Sequence, residues 1–414
     1  MQQWARFAIL GAMFVTAYLL ILAWQKDYGH AAPAPQQQAA VVSAHEVSAD
    51  LPNAQNATAA SDLPQANVTA SQATETSSVS QQLISVQTDL YHLWINPKGG
   101  DIVRIELLSH DQSKNGDQPF VMLENDAKRT YVAQSGLIGL NGPDSNRNGR
   151  PMYDVEKTAY TLADAKSVTT KDGKTHQVLT VPLVFKTPEG VEVIKSFTFT
   201  KGDYPITVKH QVINRSQQSW QGQMFGQLKR DNSDDPGKSD QGIFTLGTFL
   251  GGAWGTPEAN YNKLKFANFS DEKLNLEAKD AWVAMVQHYF VSAWIPGNLK
   301  LTQADGQPYT AKLESRQSTD KMNIIGFTSP VINVPAGTSM EVDAKLYAGP
   351  KVQSELKDLA VGLNQTVDYG WLWPIAKLLF LGLQFFHNIV GNWGWAIILL
   401  TVLVKLILWP LSSK

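Results

Sequence analysis

The distribution of apolar and polar residues first marks a long uncharged run near the start of the chain. Residues 7–24 contain no charged side chain, and as a helix they would span about 27 Å, close to the hydrocarbon thickness of a bilayer. Because the run is longer than the core of a usual signal peptide, we predict an uncleaved transmembrane anchor within residues 1–28. Arg6 precedes the run, whereas Lys26 and Asp27 after it cancel, so the positive-inside rule favours a cytoplasmic N-terminus.

The next segment, residues 29–82, shows no apolar periodicity. It contains neither aromatic residues nor Lys or Arg, and it is rich in Ala, Gln, Ser, Thr and Pro. Such a segment cannot bury enough apolar surface to offset the chain entropy that is lost on folding. We therefore predict a disordered linker between the anchor and the folded part of the chain.

In the next part of the chain, short apolar runs alternate with turn residues, a pattern that is typical of β-strands. Val191, Val193 and Phe197 share one face of an extended strand at a period of two. The preceding TPEG at residues 187–190 indicates a hairpin turn. Repeated patterns of this kind predict a large exported all-β sandwich over residues 83–350.

Helical periodicity appears after the predicted sandwich. Within residues 351–363, Val352, Leu356 and Leu363 lie on one face of a helix. We expect this helix to cover one side of the sandwich. Residues 351–367 as a whole should then lead the chain towards a membrane.

Residues 368–390 combine an apolar surface with a narrow polar stripe. Lys377, Gln384, His387 and Asn388 recur on one face at helical spacing. This pattern predicts an amphipathic helix lying in the membrane interface, rather than a span that tolerates one lysine. The tryptophans expected to anchor this helix, and to mark the start of the next one, are Trp371, Trp373, Trp393 and Trp395.

The last segment, residues 391–414, opens with Gly391-Asn392, which predicts a break in the helix, and continues as an apolar run. We predict a transmembrane helix that carries Thr401 and Lys405 on one face. An ammonium group inside a bilayer costs about 2.5–3.5 kcal/mol, so Lys405 should face protein or water. The alternative is that its stem reaches the headgroups.

Composition narrows the possible chemistry. The chain has no cysteine, which excludes disulfides, thiol nucleophiles and cysteine-bound metals. Its net charge of −2 gives no reason to expect a nucleic-acid partner. Because the eight histidines form no metal-binding pair of the HExxH type, we expect no metal site. We also expect no cofactor and no catalytic residue.

Two weaker motifs favour ordinary structural interpretations. Residues 144–149 match the first half of a calcium loop, but its bidentate acid would fall at Val155, so a surface loop is preferred. Residues 251–255, GGAWG, lack a phosphate-binding lysine and favour a bend between strands. The tryptophans within the predicted sandwich are Trp94, Trp220, Trp254, Trp282 and Trp294. We expect them in its core. Exposed tryptophans beside paired carboxylates would instead support the alternative of a membrane-tethered sugar-binding or sugar-processing protein.

The chain resembles the Gram-negative branch of the YidC/Oxa/Alb family of membrane protein insertases. The resemblance extends over the whole chain and is most specific in its last part. The motifs that carry it are AQSGL at 133–137, FGQLK at 225–229, TVDYGWLW at 366–373 and GNWGWAIILLTVLVKLILWPLS at 391–412.

The resemblance implies a non-enzymatic insertase and chaperone of the inner membrane. It would act on nascent inner-membrane proteins, alone or with the Sec translocon, in contact with membrane lipids. The resemblance also implies a multi-pass protein whose periplasmic domain is a β supersandwich. The family's core arginine, in a water-filled groove, matches Lys405, and its groove threonine matches Thr401. Lysine keeps the charge but lacks the planar donor fork of arginine. The resemblance further implies that this chain stops within the first core helix, so that insertase activity belongs to the complete protein.

Overall fold

The strands of the sandwich occupy most of the described part of the chain. The structure is a computed structural model that describes residues 82–113, 116–144, 150–169, 173–236, 249–301, 306–367 and 373–412. The predicted anchor, all but the last residue of the predicted linker, and Trp371 lie outside these residues. Strands begin at Ile84 and end at Pro350, so the all-β prediction is confirmed.

Each strand is short to medium in length and is bounded by turn residues. The first half of the domain contains β1 (Ile84–Gln87), β2 (Tyr91–Asn96), β3 (Asp101–Asp111), β4 (Pro119–Asn125), β5 (Thr130–Ile138), β6 (Asp154–Val155), β7 (Ala159–Thr161), β8 (Lys166–Thr169), β9 (Thr175–Lys186), β10 (Val191–Thr200) and β11 (Pro205–Asn214). The second half contains β12 (Trp220–Arg230), β13 (Gly251–Gly255), β14 (Asn262–Lys265), β15 (Asn275–Ala278), β16 (Trp282–Val286), β17 (Phe290–Leu301), β18 (Gln307–Pro308), β19 (Ala311–Gln317), β20 (Asn323–Thr328), β21 (Ile332–Val334) and β22 (Ser339–Pro350).

These strands form two large sheets. Sheet 1 has the order β15-β19-β20-β12-β5-β4-β3-β2-β1-β7, with β21 also paired to β12. Sheet 2 has the order β14-β13-β16-β17-β22-β11-β10-β9-β6, with β18 on β17 and β8 on β9. Short 3-10 turns lie at Leu162–Asp164, Phe266–Asn268 and Leu363–Thr366.

The hairpins of sheet 2 follow the predicted period of two. β10 pairs with β11 so that Val193 faces Val212 and Phe197 faces Val208. All four side chains are buried, because residues two apart on a strand point to the same face. The predicted turn at residues 187–190 joins β9 to β10.

Large aromatic side chains fill the space between the sheets. Trp220, Trp282 and Trp294 are at most 3% exposed, which supports the core interpretation for them, while Trp94 and Trp254 are half-buried. The indole nitrogen of Trp294 in β17 donates to the carbonyl oxygen of Gln227 in β12, 3.1 Å away. Trp294 therefore satisfies its polar atom while it joins the two sheets.

The bend predicted at residues 251–255 is wrong, since these residues form strand β13. The glycines allow close packing there rather than a turn. A Cβ on Gly252 would lie 2.7 Å from the ring of Phe269, and one on Gly255 would lie 2.4 Å from the carbonyl oxygen of Asn260. Glycine in a strand therefore marks the close approach of neighbouring groups at this site.

A buried ionic cluster, formed by Asp101, Asp144, Arg150 and Lys195, lies between the two sheets. The ammonium of Lys195 in β10 donates to the carbonyl oxygens of Gly99, at 3.0 Å, and Ser135, at 2.8 Å. These carbonyls belong to the sheet 1 side of the domain, so Lys195 bridges the sheets. Lys195 and Asp144 are both fully buried.

Arg150 supplies the second cation of the cluster. Its guanidinium donates to a carboxylate oxygen of Asp101 and lies 3.0 Å from a carboxylate oxygen of Asp144. It also donates to the carbonyl oxygens of Gly99 and Ser135, each at 3.0 Å. Asp144, predicted as part of a surface loop, is thus a buried partner of Arg150, and residues 145–149 lie outside the described part of the chain.

The chain leaves the sandwich through a short helix, α1 (Gln353–Leu359), which is shorter than the helix predicted over residues 351–363. Gly362 adopts a φ of +82° just before the 3-10 turn at Leu363–Thr366, and a Cβ at this position would lie 2.0 Å from the carbonyl oxygen of Asn260. Leu356 is fully buried, and the indole nitrogen of Trp282 donates to the carbonyl oxygen of Val361 at 2.8 Å. These contacts fix the connecting segment on sheet 2.

Candidate functional site

The candidate site is a pair of helices at the end of the described chain, hereafter the C-terminal hairpin. It consists of α2 (Trp373–Val390) and α3 (Trp393–Ser412). The predicted break at Gly391-Asn392 is present, because Gly391 adopts a φ of +66° and its amide donates to the carbonyl oxygen of His387 at 2.7 Å. This conformation is typical of glycine at the end of a helix.

Asn392 begins the second helix of the hairpin. Its side-chain oxygen accepts from the amide of Gly394 at 2.8 Å and from that of Trp395 at 3.3 Å. Asparagine is a preferred N-cap because its side chain satisfies amides that have no helical acceptor. The sequence Gly391-Asn392 therefore stops one helix and starts the next.

The two helices pack closely along one face. A Cβ on Gly382 would lie 2.9 Å from a methyl group of Leu400, which shows how closely the two helices approach at this point. The rings of His387 and Trp393 stack with their centroids 3.8 Å apart, and Ala396 is fully buried. Small residues at such positions allow helix backbones to approach each other, also within membranes.

Lys405 and Thr401, the two predicted groove residues, lie on the outer surface of α3 and are exposed. They are four residues apart and share a face, as predicted. The hydroxyl of Thr401 donates to the carbonyl oxygen of Ile397 at 2.7 Å. The described helices thus present Thr401 and Lys405 outward, and α2 packs on a neighbouring face of α3.

Large apolar side chains cover most of the remaining hairpin surface. Leu378 is 70% exposed on α2, and Trp409 is 70% exposed on α3. Soluble proteins rarely leave a contiguous apolar surface of this kind in water. Exposed apolar residues of the hairpin include Ile375, Leu381, Phe385, Ile389, Ile397, Ile398, Val402, Leu403, Leu406, Ile407 and Leu408.

The predicted interfacial residues differ in their exposure and in their contacts. Trp393 and Trp395 are 50% and 62% exposed at the start of α3, and Trp373 is the first residue of α2. Within the predicted polar stripe, Gln384 and Asn388 are exposed, whereas His387 stacks against Trp393. One member of the polar stripe, His387, therefore takes part in the packing between the two helices.

Within the described ranges, no helix combines the length and the apolar character needed to cross a membrane. The transmembrane role predicted for residues 391–414 is not shown and stays a prediction. Among the same residues, no group of three or more metal-ligating side chains comes together.

A two-sheet β sandwich followed by a helical hairpin with an exposed apolar surface is an architecture that suits a domain attached to a membrane. The family model that matches the chain describes the YidC periplasmic domain and covers residues 83–381. The chain belongs to the YidC family of membrane protein insertases. This confirms the resemblance, and it confirms that the chain is not an enzyme.

Relatives match nearly the whole chain. The membrane protein insertase YidC of Pseudomonas putida (strain GB-1) is 41% identical over 410 residues, which cover 99% of this chain and 69% of the relative. That of Stutzerimonas stutzeri (strain A1501) is 42% identical over the same shares. A galactose mutarotase related enzyme from Lactobacillus acidophilus is similar in structure over 64% of this chain and 97% of its own, at 12% identity and a TM-score of 0.39. That likeness is too distant to support a sugar-processing function.

Proposed function

We propose that this protein inserts nascent proteins into the inner membrane and assists their folding. Its family membership supports this function, and the observation that carries it is the exposed apolar surface of the C-terminal hairpin with a single lysine, Lys405, on α3. A surface of this kind matches lipid tails or apolar passenger segments rather than water. The hairpin is therefore the part of the described chain that would meet both membrane and passenger.

In this proposal α2 lies in the outer interface of the membrane and α3 crosses it, with the N-terminus in the cytoplasm. Trp371, Trp373, Trp393 and Trp395 would anchor the hairpin, because indole rings favour the headgroup level. Membrane lipids, and the Sec translocon for some passengers, would be its partners. The apolar residues that cover most of α3 support the contact with lipids, since an apolar helix surface is stable only when it is buried.

Lys405 would keep water and acidic groups within reach of the bilayer. An ammonium at that depth costs about 2.5–3.5 kcal/mol unless water or an anion accompanies it. A passenger segment bearing a carboxylate could therefore pair transiently with Lys405 while it crosses. Thr401, one turn away, would add a hydroxyl to the same hydrated face.

Lys405→Ala should abolish most insertase function, whereas Lys405→Arg should retain it because the positive charge is kept. The gene that encodes this chain is expressed in cells depleted of their own insertase, and growth and passenger insertion are measured. Lys357→Ala, which removes an exposed lysine from α1, is the matched control and should behave as the wild type. Normal growth with Lys405→Ala would show that no charge is needed at this position.

A further inference from the structure

A second group of buried polar side chains lies where β5 begins and β12 ends. Arg129 precedes β5, Arg230 is the last residue of β12, and Gln287 follows β16. Arg129 is 5% exposed, whereas Arg230 and Gln287 are fully buried. Together with Asp235, which follows β12, these residues form a cluster, hereafter the arginine site, that joins sheet 1 to sheet 2.

One carboxylate oxygen of Asp235 holds the arginine site together. It accepts from a terminal nitrogen of Arg230 and from the side-chain nitrogen of Gln287, each at 2.7 Å, and it lies 3.9 Å from a terminal nitrogen of Arg129. Glu124 also lies 3.9 Å from Arg129, but its carboxylate already pairs with an arginine of β3 at 2.8 Å. Two guanidinium groups thus share one close carboxylate.

Several polar atoms of the arginine site have no hydrogen-bond partner within the described ranges. They are Nε and Nη1 of Arg230, Nε of Arg129 and the side-chain oxygen of Gln287. The other two nitrogens of Arg129 donate to the carbonyl oxygens of Val121 and Met122, at 3.2 and 3.1 Å. A buried donor without an acceptor costs about 1–3 kcal/mol, and more when it is charged. Unpartnered buried donors of this kind are the mark of a site for water or an ion.

The positive charge of the arginine site favours an anion over water. Burial and the neighbouring Arg230 both lower the pKa of Arg129, because like charges disfavour each other. The guanidinium carbons of Arg129 and Arg230 lie 5.6 and 4.9 Å from the ring centroid of Tyr131, but a ring face offsets only part of the cost of a buried cation. An anion would reduce the repulsion and accept from the unpartnered nitrogens.

The side-chain oxygen of Gln287 restricts which anion fits. The amide nitrogen of Gln287 faces Asp235, because an ionised carboxylate accepts hydrogen bonds and donates none. The oxygen of the same amide is therefore the free atom, and it needs a donor. Hydrogen phosphate has an O–H group as well as acceptor oxygens, whereas sulfate at neutral pH has acceptors alone.

We propose that the arginine site binds inorganic hydrogen phosphate. Arg129 and Arg230 donate to the phosphate oxygens through their three unpartnered nitrogens, and the phosphate O–H group donates to Gln287. The loop at residues 231–236 is partly exposed and contacts Arg230 through Ser233 and Asp235, so it is the element that moves when the ion enters. Because phosphate binds the folded state, the stability of the sandwich rises with the phosphate concentration around it.

The test is a calorimetric titration of the full chain, in detergent and at constant ionic strength, with inorganic phosphate and with sulfate. We expect saturable phosphate binding, about tenfold or more tighter than sulfate binding, because phosphate alone can donate to Gln287. Arg129→Lys keeps the charge but removes Nε, and it should weaken phosphate binding about tenfold or more. Arg215→Met removes a 65% exposed arginine outside the site and, as the matched control, should bind phosphate as the wild type does.

Two further variants change the arginine site without replacing an arginine. Asp235→Asn removes the negative charge that competes with the ion, so it should tighten phosphate binding several-fold. Gln287→Met removes the free acceptor, so it should bring the affinities for phosphate and sulfate closer together. Thermal unfolding without phosphate confirms that each variant is folded.

Three results would overturn the proposal. They are a lack of saturable phosphate binding, which would leave water as the partner of the unpartnered atoms, equal affinity of the wild type for phosphate and sulfate, and unchanged phosphate affinity in Arg129→Lys. A parallel titration with glycerol phosphate separates the free ion from a phosphate ester. Tighter binding of the ester than of inorganic phosphate would overturn the assignment to the free ion.

Discussion

Replacing Arg150 by methionine is expected to lower the free energy of unfolding by about 3–5 kcal/mol. Arg150 lies between Asp101 and Asp144, and Asp144 is fully buried. Without the guanidinium, these carboxylates keep only Lys195 as a nearby cation, and the penalty for burying their charge is no longer offset. Burial already raises the pKa of Asp144 despite its cationic neighbours. Chemical denaturation of the purified protein measures the change.

Two further variants separate this effect from the loss of an ordinary ion pair. Arg215→Met removes a 65% exposed arginine that pairs with Glu192 and should cost at most about 1 kcal/mol. Adding Asp144→Asn to Arg150→Met should recover part of the lost stability, because one uncompensated charge is removed. A loss for Arg150→Met as small as that for Arg215→Met would show that the cluster contributes little.

The second large effect is a dependence of stability on alkaline pH. Burial is the main cause that lowers the pKa of Lys195 from its ordinary value of 10.5 to about 7, although Asp101 and Asp144 act in the opposite direction. Between these two values the unfolded chain binds the proton and the folded chain has released it. The free energy of unfolding should therefore rise with pH, by about 2–3 kcal/mol between about pH 7.5 and about pH 9.5.

Lys195→Met should remove this slope, which is measured by denaturation at a series of pH values. Other buried groups affect the free energy of unfolding in other pH ranges. His210, whose pKa burial lowers well below 6.5, affects stability only at acidic pH. Tyr131, whose pKa burial raises to about 12, acts above about pH 10. An equal slope in wild type and Lys195→Met would assign the alkaline dependence to other groups.

The elements of the sandwich could be predicted from sequence where a strand has one buried face. In β10 and β11 the apolar residues recur every second position, and they occupy the core as that period requires. The turn at residues 187–190 and the break at Gly391-Asn392 could also be predicted, because glycine, proline and asparagine restrict the local backbone. Local chemistry decides these features, so a short window of sequence contains the information.

The buried ionic cluster could not be predicted from a local pattern. Lys195 contacts carbonyl oxygens of Gly99 and Ser135, which are far away in sequence. Arg150 follows the predicted surface loop at residues 144–149. A lysine in an alternating strand, at a position whose neighbours two residues away are Val193 and Phe197, was the one available signal. Only the packing of the two sheets against each other shows which groups surround the Lys195 ammonium.

Strand β13 was missed for a related reason. Gly252 and Gly255 pack closely against Phe269 and Asn260, which lie in the connections after β13 and β14, so their role depends on the tertiary fold rather than on a turn. For the C-terminal hairpin, the sequence predicted the break and the shared face of Thr401 and Lys405, but not the stacking of His387 on Trp393.

The described chain combines a two-sheet β sandwich with an apolar helical hairpin. The buried Leu356 of α1 and the hydrogen bond from Trp282 to Val361 hold the start of the segment after β22 on the sandwich.

The most direct test is the insertion of a newly synthesised inner-membrane protein into liposomes that contain the purified product of the gene encoding this chain. Insertion is measured as the fraction of passenger protected from an added protease, with protein-free liposomes as the reference. Protection well above the reference, which falls to the reference level with Lys405→Ala and is kept with Lys405→Arg, is the predicted result. Equal protection with and without the protein would contradict the insertase function.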